Sequence, residues 1–135
     1  MSTAIVVSTP PFKEQISVTT QPDPGRELIP RPERTPDCVR VALARIAPYR
    51  LSEMERHKEE ALAAAIQDGK IGHLQHWLTH WQAQIEIERR PDLAARYHAA
   101  LAVVHGTSGR EDPTFRPAMN ELRAVEAEAQ QAVSA

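Results

Sequence analysis

From residue 36 onward, apolar positions recur every three or four residues, in runs that carry their own start and stop signals. This is the periodicity of helices packed by one face. Thr35-Pro36-Asp37 puts a hydroxyl, a proline and an acid where a first helix needs them, and Val39, Ala42, Leu43 and Ile46 follow until Pro48 stops it. Ser52 and Glu55 have capping-box spacing, so a second helix is expected from Ser52, with Met54, Ala61, Leu62, Ala65 and Ile66 inward and Gly69 as a left-handed stop. A third should run from about Ile71 or His73 to Arg89, with Leu74, Trp77, Leu78, Trp81 and Ile85 on one face. Arg89 and Arg90 then sit against its negative C-terminal end. Pro91 and Asp92 open a fourth, carrying Leu93, Tyr97, Ala100, Leu101 and Val104 up to Gly106. After a polar loop, a last helix begins near Thr114 or Pro117 and aligns Met119, Leu122, Val125 or Glu126, Ala129 and Val133. Its Ala/Glu/Gln-rich second half predicts weak anchoring and fraying.

Upstream the pattern breaks. Seven of the eleven prolines fall within residues 1–36, each removing a backbone donor and pushing its predecessor out of helix. Ala4 to Val7 and Ile16 to Thr20 are β-prone, yet a lone hairpin is marginal in water, so disorder is the expectation. The predicted architecture is therefore all-α: a small antiparallel four- or five-helix bundle over residues 36–135 behind a disordered, Pro-rich N-terminal leader over residues 1–35.

Composition narrows the role. Aromatics are 4% of residues, so the core depends on Leu, Ile, Val and Ala and leaves apolar surface uncovered. A net charge of -2 lacks the basic excess that binds nucleic acid or anionic lipid, which makes nucleic acid an unlikely partner and gives no reason to expect membrane binding. Cys38 is the only cysteine, and the first residues hold just four consecutive apolar positions, which points to a reducing, cytoplasmic setting.

Candidate chemistry is sparse. Trp77 and Trp81, four residues apart, share one helix face and are read either as core or as partner anchors. His73, His76 and His80 flank them at i, i+3 and i+7. The spacing of His76 and His80 suits two zinc ligands, but Trp77 stands where a His-Glu-x-x-His helix needs its glutamate and no third ligand is evident, so no metal is assigned. Glu55, Glu59, Glu60, Glu86, Glu88, Glu111 and Asp112 are read as solvated, ion-paired faces near Arg56, Lys58, Arg89 and Arg90. Cys38 near a helix start is read as a small packing residue, and residues 106–109 lack the lysine of a phosphate loop. No catalytic set and no cofactor emerges. The five residues carried forward as partner-binding are Trp77, Trp81, His73, His76 and His80.

Thr35-Pro36-Asp37, Arg40, Ala42-Leu43, Arg45 to Pro48 and Arg50-Leu51, followed by the tryptophan helix and Arg90-Pro91, resemble a family of small actinobacterial helical proteins known only as a domain of unknown function. The resemblance spans about residues 35–106 and implies a compact bundle in a bacterial cytosol. Some relatives are thought to be encoded near toxin-antitoxin genes, which implies a binding or neutralising role. The expectation is thus a non-enzymatic protein-protein interaction module, regulatory in character, that binds another protein or itself as a homodimer. The alternative is an antitoxin-like or DNA-binding bacterial regulator.

Overall fold

The computed structural model describes residues 26–134, and every regular element among them is helical. The β-prone pieces at residues 4–7 and 16–20 lie outside the described residues. Helix α1 spans Pro36–Ile46. Thr35 caps it, its hydroxyl accepting the Cys38 N–H at 3.1 Å, as the Thr-Pro-Asp signal predicts.

Helix α2 spans Leu51–Asp68 and corrects the predicted capping box. A 3-10 turn over Pro48–Arg50 runs straight into it, with Leu51 already helical (φ -62°, ψ -40°), so Ser52 lies inside the first turn and caps nothing. Gly69 ends α2 at φ 74°, the left-handed conformation that favours glycine. Helix α3 is Gly72–Arg89, α4 is Pro91–Gly106 and α5 is Phe115–Ser134.

Helix α3 is the axis: α1, α2, α4 and α5 all pack on it, and α5 also lies along α4. Two cores result. One gathers Val39, Leu43, Met54, Trp77, Trp81 and Ile85 from α1, α2 and α3. The other joins Ala83 and Ile87 of α3 to Leu93, Val125 and Ala129, and continues through Ala100, Ala118 and Leu122.

Three expectations are revised. The last helix does not fray within the described residues. It runs to Ser134, because Val125 and Ala129 are fully buried and small side chains let it approach α3 closely. Leu62 and Ile66, assigned inward, are 46% and 75% exposed, because nothing beyond α3 covers the far half of α2.

The leader, expected free up to residue 35, is docked from Glu27. The Leu28 N–H donates to Arg89 O at 2.8 Å, Ile29 is buried, and Arg34 donates to Gln82 and to Thr79 Oγ1. The prolines that forbid helix here favour an extended strap, whose polar groups find partners along α3.

Candidate functional site

The second helix and the first half of α3 form an arm that leans out from the two cores. Its two sides differ. One side is a groove of about 540 Å³ walled by His57, Ala61 and Ala64 of α2 and by His73, His76 and His80 of α3, with Lys70 at the turn. The i, i+4, i+7 spacing of His57, Ala61 and Ala64 puts a histidine and two small residues on one stripe, so α2 stands close to α3 and the His57 and His80 rings meet edge-on. His57 and His80 are 6.4 Å apart between ring centroids, and both rings pack on Trp81, at 5.8 and 5.3 Å. Burial pushes the His80 pKa down, helped by His57 and Arg50, so its ring is neutral at pH 7. His73 sits 2.7 Å from Asp68 across the turn, and this hydrogen bond holds the Asp68 carboxyl below its usual range.

All five sequence-selected residues therefore meet in one groove. The tryptophans are its floor and do not project: Trp77 is 5% exposed and Trp81 fully buried. Trp77 Nε1 donates to Met54 O at 3.1 Å, whereas Trp81 Nε1 is buried without a hydrogen-bond partner and stacks beneath the Arg50 guanidinium, 4.8 Å from the ring centroid. His57 had no claim in the sequence because it lies 23 residues from His80 in another helix; only the α2–α3 packing brings them together. Among the described residues no group of three His, Cys, Asp or Glu is arranged to hold a metal ion. Cys38 is half-buried at the start of α1, within 4.0 Å of Glu33 Oε2.

The arm's other side is apolar. Lys58, Leu62 and Ile66 follow one another at four-residue intervals on α2. Ile71 at the turn and Leu74 and Leu78 on α3 run alongside, and these three with Lys58, Leu62 and Pro36 border a second groove of about 300 Å³. Ile71 is 64% exposed. Sequence reasoning placed Leu62, Ile66, Leu74 and Leu78 in a core, and of these Leu78 does pack on the first core; Leu62 and Ile66 do not, because periodicity identifies an apolar face without saying what covers it.

At the opposite end of α3, the acidic residue read as solvated is the most buried charge among the described residues, which corrects that expectation. Glu86 has no exposed side-chain surface. It accepts two hydrogen bonds from Arg31, at 3.0 and 2.9 Å, and two from Arg89, at 2.7 and 3.2 Å. Burial alone would raise its pKa, but the two guanidiniums overcome this and hold it down to about 2. Arg89, itself buried, also donates to Ile29 O and Glu27, so the cluster clasps the strap to α3. The sequence signal was present but unread: Arg31 lies 55 residues from Glu86, and the pairing needs the strap to run antiparallel to α3.

Among the described residues no helix is long and apolar enough to cross a membrane. Compared with known proteins, the chain matches no family model, no curated protein and no solved structure.

Proposed function

We infer that the chain is a non-enzymatic protein-interaction module whose docking face is the apolar side of the α2–α3 arm, and that its occupant is a second copy of the chain. The observation that carries this reading is the exposure of Leu62, Ile66 and Ile71 around the α2–α3 turn. Together these side chains present on the order of 300 Å² of apolar surface, about where a monomer's largest patch begins to mark an interface. Two helices with an open apolar face are half of a four-helix bundle, and a two-fold axis supplies the missing half with the same residues. Charge does not oppose the pairing. Lys58 is the single charged residue bordering the apolar groove, and its ammonium is drawn 5.8 Å from the Trp77 ring centroid.

Sedimentation equilibrium on the full chain tests this. The expected mass at tens of micromolar is twice 15.1 kDa, returning to one chain in the Ile66→Glu/Ile71→Glu variant with its helical circular dichroism intact. A wild-type mass of one chain at every concentration rejects the second copy as occupant. A dimer that survives the double substitution places the interface elsewhere.

A further inference from the structure

Six of the thirteen arginines, at positions 31, 40, 50, 89, 90 and 96, lie within 4.0 Å of a carboxylate. Of the arginines without a carboxylate partner among the described residues, three, Arg110, Arg116 and Arg123, border the same groove of about 410 Å³ at the start of α5. The helix segregates its charge to make this possible. Two of its three acids, Glu121 and Glu128, turn toward α4, where both pair with Arg96 at 3.0 and 2.8 Å. Arg116, Asn120 and Arg123 fall at i, i+4 and i+7 on another face, and the preceding loop brings Arg110 alongside. Among the described residues neither loop acid, Glu111 or Asp112, pairs with a guanidinium, and Asp112 is turned to Thr114, accepting its N–H at 2.9 Å and its hydroxyl at 2.7 Å. Phe115 and Met119 complete the lining, so an aromatic ring and a thioether lie beside the three cations.

Like charges gathered around one concavity repel one another unless an anion lies between them. Three forked guanidiniums match the several oxygens of a polyphosphate better than isolated carboxylates, and an aromatic face beside them suits a stacked base. The groove volume lies in the range of small-molecule sites. We propose that the groove formed by Arg110, Phe115, Arg116, Met119, Asn120 and Arg123 binds a nucleoside polyphosphate, with the arginines on the phosphates and Phe115 against the base. This site is separate from the α2–α3 arm and stands whether or not the chain dimerises.

Isothermal titration of the full chain with ATP, with pyrophosphate and with a ten-nucleotide single strand tests the assignment. The expected result is saturable ATP binding that weakens with added salt, and a loss of roughly tenfold in affinity for each arginine changed to alanine. Phe115→Leu should weaken ATP and leave pyrophosphate unchanged. All three arginines are exposed, so the Ala variants should keep the wild-type melting midpoint. Should an Ala variant unfold, the Arg110→Lys/Arg116→Lys/Arg123→Lys variant keeps the charge without the fork and must bind ATP more weakly than wild type. No ATP binding at millimolar concentration, or affinity indifferent to the three arginines, overturns the proposal. Tighter binding of the single strand than of ATP overturns it in favour of nucleic-acid phosphodiesters.

Discussion

The two halves of α3 have been given opposite tasks. From Gly72 to His80 the helix buries only Trp77, and its histidines and Leu74 border open grooves. From Trp81 to Ile87 every side chain is buried, including Gln82, Gln84 and Glu86. The first half is an amphipathic helix that lacks part of its cover. The second is a central rod whose polar side chains survive burial because each is paired: Gln82 with Arg34, Gln84 with Arg50, and Glu86 with Arg31 and Arg89. The lesson is that burial around the rod is completed by arginines arriving from other segments, whereas the arm is left open for something outside the monomer.

The sharpest way to break that contrast is to remove the charge at its buried end. Glu86→Ala leaves Arg31 and the buried Arg89 facing each other with only the half-exposed Glu27 beside Arg89, and should cost about 3–5 kcal/mol in urea unfolding, while Ile66→Ala on the arm should stay within about 0.5 kcal/mol for the monomer. The same carboxylate predicts an acid dependence. Its folded pKa, about 2, lies below the unfolded value near 4.5, so its contribution is fully present above pH 4.5 and is lost as pH falls toward 2. The loss is at most about 3 kcal/mol. An unfolding free energy flat from pH 5 to pH 2 would show that the cluster does not hold the strap.

A smaller effect probes the packing between α5 and the rod. Ala129 is fully buried where α5 meets Ala83 and Ile87, so Ala129→Leu should overpack the contact and cost about 1–3 kcal/mol by thermal melt. The same change at the exposed Ala127 should be nearly silent. Equal melting midpoints for the two would return the tail to the weakly held state its composition suggests.

The rods themselves were legible in the sequence: Thr35 as a cap, Gly69 as a left-handed stop and Pro91 as a start all stand where local rules put them. The stripe Leu122, Val125 and Ala129 was legible too. What periodicity withholds is the number of neighbours a helix acquires. Glu86 follows Ile85 in a stretch that reads as one apolar face with a polar back, and only the strap, 55 residues upstream, turns that back into interior. For the same reason Leu62 and Ile66 looked like core, and nothing in the sequence singles out Arg110, Arg116 and Arg123 as neighbours. Each of these depends on which segments meet, a property of topology that no window of eighteen residues contains.

The finest comparison lies at the junction of the two halves, where two tryptophans one turn apart differ in a single hydrogen bond. Both are buried against the same core, so Trp→Phe removes a similar volume at each and should cost about 1 kcal/mol in packing. At Trp77 the change also removes the bond from Nε1 to Met54 O, adding about 0.5–1.5 kcal/mol. At Trp81 it removes a buried N–H that has no partner, a relief of about 1–3 kcal/mol, offset by weaker stacking beneath Arg50. Trp77→Phe should therefore be the more destabilising by about 1–2 kcal/mol, although Trp81 is the more deeply buried ring. Chemical denaturation followed by circular dichroism measures both without relying on the fluorophores being replaced. If Trp81→Phe proves the costlier, the indole N–H is satisfied in solution and burial alone ranks the two positions, which would make the junction an ordinary core and leave the open arm as the only irregular part of α3.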